Sequence, residues 1–355
     1  MNSEISLYIV GMNRWLFWIF CGFSLSLHAQ NFTVAFGSCS NQKFDLSIFD
    51  TILTHDPDVM ILLGDNVYMD TYDKSVMCAK YDSLLTHPSF HRLQERVPIW
   101  PVWDDHDYGW NDAGKEYSEK ELTKLLLFDA FDEPASSCRW KRPGIYGEKI
   151  VERNGLRVQF LLLDTRSFRD SLCVFNGTPM PKNAFTYWPE YSPCSDTTRT
   201  LLGTEQWNWL RDKLSEPADY RIVCSSIQFG HAYNGYESWN NFPWEKERLV
   251  RIIRETRSQG VVFISGDVHY GEISKDTANI GYPIYDITSS GLSSTWHSAA
   301  PNANRVGEPI MENNFGLLQF TEKDQKLVVQ LIDKSNRIRE TIILDKNQLT
   351  APTFK

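Results

Sequence analysis

The run Val59-Met60-Ile61-Leu62-Leu63, bounded by Pro57-Asp58 before it and Gly64-Asp65 after it, leaves this 355-residue chain few ways to fold. Five apolar residues without alternation are the pattern of a strand covered on both faces, at home in a parallel α/β sheet. Gly64 then permits a sharp backbone turn. A carboxylate at the carboxyl end of such a strand lies where open α/β sheets place their ligands, and Tyr68 follows closely enough for its phenol oxygen to reach the same spot. Gly-Asp after a strand also serves as an ordinary turn, so this segment alone leaves both readings open.

Three more apolar runs end in residues of the same kind: Val34-Ala35-Phe36 before Gly37-Ser38-Cys39, Ile99 to Trp103 before Asp104-Asp105-His106-Asp107, and Val261 to Ser265 before Gly266-Asp267-Val268-His269. Between them, helical spacing predicts helices over Phe44–Leu53, Asp73–Leu85, Ser89–Glu95, Glu119–Phe131 and Trp244–Arg257, with another capped by Thr204 and running to Leu214. Asn154-Gly155 predicts a hairpin between Gly144–Val151 and Leu156–Leu163. The runs at 282–287, 315–321, 327–333 and 339–344 read as antiparallel strands finishing the second half. With no repeat and no Gly/Ser linker, one two-halved domain over residues 30–355 is the economical organisation.

Residues 1–29 read as a signal peptide: Arg14 supplies the positive end, Trp15 to Leu27 the apolar stretch, and Leu27-His28-Ala29 the cleavage site, with Met12 as an alternative start. The apolar run is shorter than the roughly 20 residues of a membrane span, which favours export, periplasmic or extracellular, over a stable anchor. In an oxidising compartment Cys173 and Cys194 would staple the insertion they bracket, Cys78 and Cys138 form a weaker candidate pair, and Cys224 reads as a buried free thiol. A formal net charge of -9 and the lack of a basic stripe argue against a nucleic-acid surface.

The candidate ligands sort by softness into two sites sharing Asp65, whose two oxygens suit a bridge. Cys39, Tyr68 and His269 offer thiolate, phenolate and imidazole, a set for ferric iron, or for zinc if Tyr68 stays protonated and unbound. Asp105 and Asp267 give hard oxygen, suited to calcium, magnesium or manganese. His106 is then left to contact a phosphoryl oxygen or protonate a leaving group. Two ions about 3.5–4 Å apart are a standard arrangement for in-line phosphoester hydrolysis. Against this, Tyr68 also fits a packed aromatic and Asp104-Asp105 a solvated loop.

Gly64-Asp65-Asn66-Val67-Tyr68 resembles the G-D-x-x-Y motif of purple acid phosphatases, and Asp104-Asp105-His106-Asp107 resembles a variant of the G-N-H-[DE] motif of calcineurin-like metallophosphoesterases. Together with Gly37-Ser38-Cys39, Trp103 to Asp112, Asp164-Thr165-Arg166 and Gly266-Asp267-Val268-His269, the set is more similar to PhoD-like alkaline phosphatases, over roughly Phe32 to His269. The resemblance implies a four-layer α/β/β/α sandwich, export, and ferric iron with calcium in phosphomonoesterase or phosphodiesterase chemistry. It also implies Cys39, Tyr68 and His269 as iron ligands, Asp65 as bridge, and Asp105 and Asp267 on the calcium side. Asp105 stands where the general motif has an amide, and no histidine of the fourth motif follows the strand Tyr220–Ile227. Asn111 offers an oxygen in its place.

For substrate, Arg166 fits either a phosphate clamp or a salt bridge near Asp164. His231 reads as a surface residue or a substrate contact, and Trp239 and Trp110 as organic-substrate contacts or packing. The expected function is exported, metal-dependent hydrolysis of a small-molecule, lipid or polymer phosphate ester by metal-activated hydroxide, with Asp65 and His106 catalytic. A phospholipase C-like enzyme and a non-catalytic phosphate- or metal-binding protein are the alternatives.

Overall fold

The computed structural model describes residues 31–178, 180–182, 185–187, 189–277, 280–321 and 324–351. The signal-peptide expectation for residues 1–29 lies outside them. Two large sheets dominate. The first runs, in spatial order, Ile338–Asp345, Lys326–Asp333, Asn314–Thr321, Phe32–Gly37, Val59–Leu63 and Ile99–Val102. The second runs Arg305–Ile310, Gly271–Asp276, Ile284–Ser289, Val261–Ser265, Tyr220–Cys224, Leu156–Leu162 and Gly147–Arg153.

The unalternating apolar runs are the parallel strands. Phe32–Gly37, Val59–Leu63 and Ile99–Val102 pair in parallel, as do Leu156–Leu162, Tyr220–Cys224, Val261–Ser265 and Ile284–Ser289. Parallel neighbours need crossover connections of one hand, which carry the intervening helices onto one face of each sheet. The opposite faces meet through rings: Phe160 of the second sheet lies 6.1 Å from Phe32, 6.2 Å from Phe320 and 5.3 Å from Trp100 of the first. The result is the expected α/β/β/α sandwich, with helices Lys74–Leu85 and Lys120–Ala130 among those on one outer layer and Gly203–Leu214 and Pro243–Thr256 on the other.

The tail departs from expectation. Its last three strands join the first sheet, with Asn314–Thr321 antiparallel to Phe32–Gly37. Ile284–Ser289 pairs in parallel with Val261–Ser265, and two unforeseen strands, Gly271–Asp276 and Arg305–Ile310, complete that edge. The helix expected from Phe44 begins only at Ile48, and Phe44 is 54% exposed. Thr204 caps nothing: the helix starts at Gly203, and the Glu245 carboxylate accepts the preceding Leu201 N–H instead. Cys173 and Cys194 are bridged, while Cys78 and Cys138 stand on separate elements as free thiols and Cys224 is buried and free.

Candidate metal centre

The carboxyl ends of the parallel strands of both sheets deliver the polar residues. Local geometry there is unusual, because Cys39, Asp65, Asp267 and His269 all hold positive φ, at 61°, 51°, 75° and 59°. Such conformations cost non-glycine residues roughly 1–3 kcal/mol each and persist only where surrounding structure imposes them. Gly64 explains part of the imposition: a Cβ there would lie 2.4 Å from the Asp104 Cβ, so the two strand ends approach as closely as backbone allows. Asp107 knits the same ends together, accepting the N–H groups of Asp104 at 2.7 Å and of Asp65 and Asn66 at 3.2 Å.

Cys39, Asp65 and His269 bring their ligand atoms within 4.8 Å of one another. The Cys39 Sγ lies 3.4 Å from Asp65 Oδ2, and the Tyr68 hydroxyl donates to that same oxygen at 3.2 Å. His269 donates Nδ1–H to the Ser294 carbonyl at 3.1 Å, an acceptor only, which leaves Nε2 as the lone-pair nitrogen. Burial, then the charge of Asp65, pushes both the Cys39 thiol and the Tyr68 phenol well above their ordinary values, so thiolate and phenolate here need a cation beside them.

A harder set adjoins it. Asp104, Asp105 and Asp267 form one group within 4.8 Å, and Asp105, Asp112 and Glu237 another. Asp65 also groups with Asp105 and His106, which places it between the soft and hard sets. His106 lies against Tyr68, ring centroids 4.3 Å apart, and its Nδ1 is 2.7 Å from Asp70, leaving Nε2 for the cleft. Burial would lower the His106 pKa, but Asp65, Asp105 and Asp70 raise it to about 10. Burial is the largest cause of the raised pKa of Asp65, of Asp267, of Asp104 (about 7) and of Asp112 (about 8), with neighbouring carboxylates adding to it. Asp105 alone is held well below the usual range, where Arg166 and His106 overcome its burial.

These residues fit a pair of unlike cations. Acids outnumber the buried cationic partners, Arg166 and Arg169, and Asp104 Oδ2 is buried without a hydrogen-bond partner. Cys39, Asp65, Tyr68 and His269 would hold the softer ion, and Asp104, Asp105 and Asp267, with Asp112 and Glu237 alongside, the harder one.

Five further candidates are held by packing, ion pairs or hydrogen bonds. Arg166 is fully buried and ion-paired with Asp104, Nη2 to Oδ1 at 2.5 Å, and with Glu237, which is the salt-bridge reading with other partners; Asp164 accepts only its backbone N–H, at 3.0 Å. His231 is also fully buried, 3.9 Å from Glu272, and burial pushes its pKa down to about 3; it is a core histidine, not a surface residue. Trp239 is sealed in, donating Nε1–H to Ser225 at 3.0 Å and packing edge-on against Trp207 and Phe229. Asn111 is exposed and donates to Asp112, and it is Asp112 that reaches Asp105, through an N–H donated to Oδ2 at 2.7 Å. Trp110 is half-buried between Tyr72 and Tyr117. Asp112 and Glu237, not named as ligands from sequence, stand in the same acidic groups, each within two residues of one that was singled out.

Residues 33–331 match the family model described as PhoD-like phosphatase. Alkaline phosphatase D of Bacillus subtilis (strain 168) is 24% identical over 276 residues, which are 67% of this chain and 46% of that protein. The chain thus spans about half the length of that curated relative. A solved structure of PhoD superposes with a TM-score of 0.71 at 17% identity, covering 90% of this chain and 70% of the other. A dimetal phosphatase from Danio rerio superposes with a TM-score of 0.54 at 15% identity, covering 89% and 99%. At such identities the structural likenesses establish the fold.

Proposed function

This chain belongs to the PhoD-like phosphatase family, and from that premise we propose that it is an exported, metal-dependent phosphoesterase acting on phosphomonoesters, phosphodiesters or both. The observation carrying the proposal is the interlocking of the ligand groups: Asp65 belongs to both the Cys39–His269 set and the Asp105–His106 set. A shared carboxylate between unlike donor sets is what two adjacent cations of different hardness require.

When bound, the cations supply charge neutralisation at the phosphoryl oxygens and acidify the attacking water. Ferric iron with calcium is the pair that best suits the donors, with zinc, manganese or magnesium as substitutes. The chain's own residues do the rest. His106, its ring oriented by Asp70, presents Nε2 to a phosphoryl oxygen or to the leaving oxygen, as a hydrogen-bond donor and proton source. Arg166 acts at one remove, holding Asp104 and Glu237 in place. Asp107 fixes the turns that present Asp65 and Asp105. Export is supported by the Cys173–Cys194 bridge, a bond that persists in oxidising compartments.

The test is hydrolysis of p-nitrophenyl phosphate and its bis-ester by protein reconstituted with iron and calcium, with and without chelator. Chelator-reversible turnover of either ester is expected. A protein that retains both ions yet hydrolyses neither would be a binding protein.

A further inference from the structure

Beside the metal centre lies a cleft of about 440 Å³ lined by Glu190, Tyr236, Thr295, Trp296, His297 and Ser298. Three chain segments meet in it, and each is tied to something rigid. The 293–298 segment hangs from the candidate ligands themselves: the Ser293 and Ser294 N–H groups donate to the Cys39 carbonyl at 3.1 and 3.2 Å, and the Trp296 N–H to the His269 carbonyl at 2.9 Å. The Trp296 indole stacks on the His269 imidazole, centroids 5.3 Å apart and planes 18° from parallel. Glu190 comes from the excursion stapled by Cys173 and Cys194, and the N–H groups of Glu190 and Tyr191 both donate to the Gly235 carbonyl, next to Tyr236. Tyr236 meets Trp296 edge to face, at 5.3 Å and 62°.

We propose that this cleft is the leaving-group subsite, and that it takes esters whose alcohol carries a planar unsaturated ring, an aryl group or a nucleobase. The inference rests on the phosphoesterase reading above. Two aromatic rings inclined at 62° to one another let one planar ring stack on the first while turning its edge toward the second, the two arrangements aromatic pairs prefer. Among the described residues that line the cleft there is no lysine or arginine, and Glu190 contributes a negative charge. A leaving group bearing further phosphates or carboxylates is therefore disfavoured, whereas the neutral ring of an aryl or nucleoside ester is not. Thr295, His297 and Ser298 supply polar atoms for its edge. Because Trp296 touches His269 directly, a ring seated here adjoins the phosphoryl group bound at the metals.

The proposal is tested with full-length, metal-loaded protein and its Tyr236→Ala and Tyr236→Phe variants, comparing kcat/KM for phenyl phosphate, adenosine 5′-monophosphate and glycerol 3-phosphate. The preference for a ring-bearing ester over the glycerol ester should fall about tenfold in Tyr236→Ala, the scale of one aromatic stacking contact, and be kept in Tyr236→Phe. Phenyl phosphate leading identifies a small aryl ring, and the adenosine ester leading identifies a nucleobase. Equal preference in wild type and Tyr236→Ala would overturn the subsite. Calorimetric binding of phenylphosphonate against methylphosphonate separates this failure from failure of the parent reading. A phenyl preference that Tyr236→Ala abolishes, in protein showing no turnover, upholds the subsite and sinks the hydrolase; equal affinities sink the subsite.

Discussion

Removing cations from the centre should make the protein's stability fall with rising pH, by an amount that follows from two of its acids. Asp104 and Asp112 have pKa values raised to about 7 and about 8, mainly by burial and then by neighbouring carboxylates, against about 3.9 for an unfolded aspartate. For an acid raised in the fold, the stabilisation is complete below the unfolded value and is lost as pH rises through the folded one. The clean window is pH 6.5 to 8. At its lower edge and below, His231 and His269, whose pKa values are lowered chiefly by burial, act in the opposite sense, because an unfolded imidazole is already half protonated at about pH 6.5. Within it, at 1.36 kcal/mol per proton and pH unit, Asp112 loses about 2 kcal/mol and Asp104 about 1. His106, raised to about 10, adds loss of the same sign. The sum corresponds to a drop in Tm of roughly 5 °C or more. Melting curves in chelator at pH 6.5 and 8.0 measure it, and saturating divalent cation should flatten the difference. A chelated protein whose Tm is level or rises across the window, or one with the same slope when metal-loaded, would refute the reasoning.

His106→Ala should keep metal content while lowering kcat by about 10²–10⁴-fold, as loss of a general acid does; unchanged turnover removes it from the mechanism. Arg166→Met should cost about 3–5 kcal/mol in denaturant unfolding, because Asp104 then loses its buried ionic partner and Glu237 keeps only Arg169. Full stability with only a raised KM would restore the phosphate-clamp role. If ferric iron occupies the soft set, the purified protein should absorb visible light and Tyr68→Phe should bleach it, so an undiminished band in the variant would remove Tyr68 from the ligands.

The parallel strands were legible because burial on both faces leaves an unalternating apolar run, as at Val59–Leu63 and Val261–Ser265. The return of Asn314–Thr321 to the first sheet was not, since which sheet a strand joins depends on pairing partners far away in sequence. Cys39, Asp65, Asp105, Asp267 and His269 were legible because each stands just past a strand end. Asp112 and Glu237 stand in loops, where no periodicity marks direction, one and two residues from the candidates Asn111 and Trp239. The partners of Arg166 and the place of His231 were hidden for a different reason: their residue types suit a phosphate site, and only tertiary burial reveals that Asp104, Glu237 and the core enclose them.

The account stands on Asp65 as the shared ligand, and metal content per chain in wild type and Asp65→Asn tests it most directly. Two unlike ions per wild-type chain, with both depleted together in the variant, is the predicted result. A wild-type protein that holds neither ion, or a variant that keeps both, would contradict it.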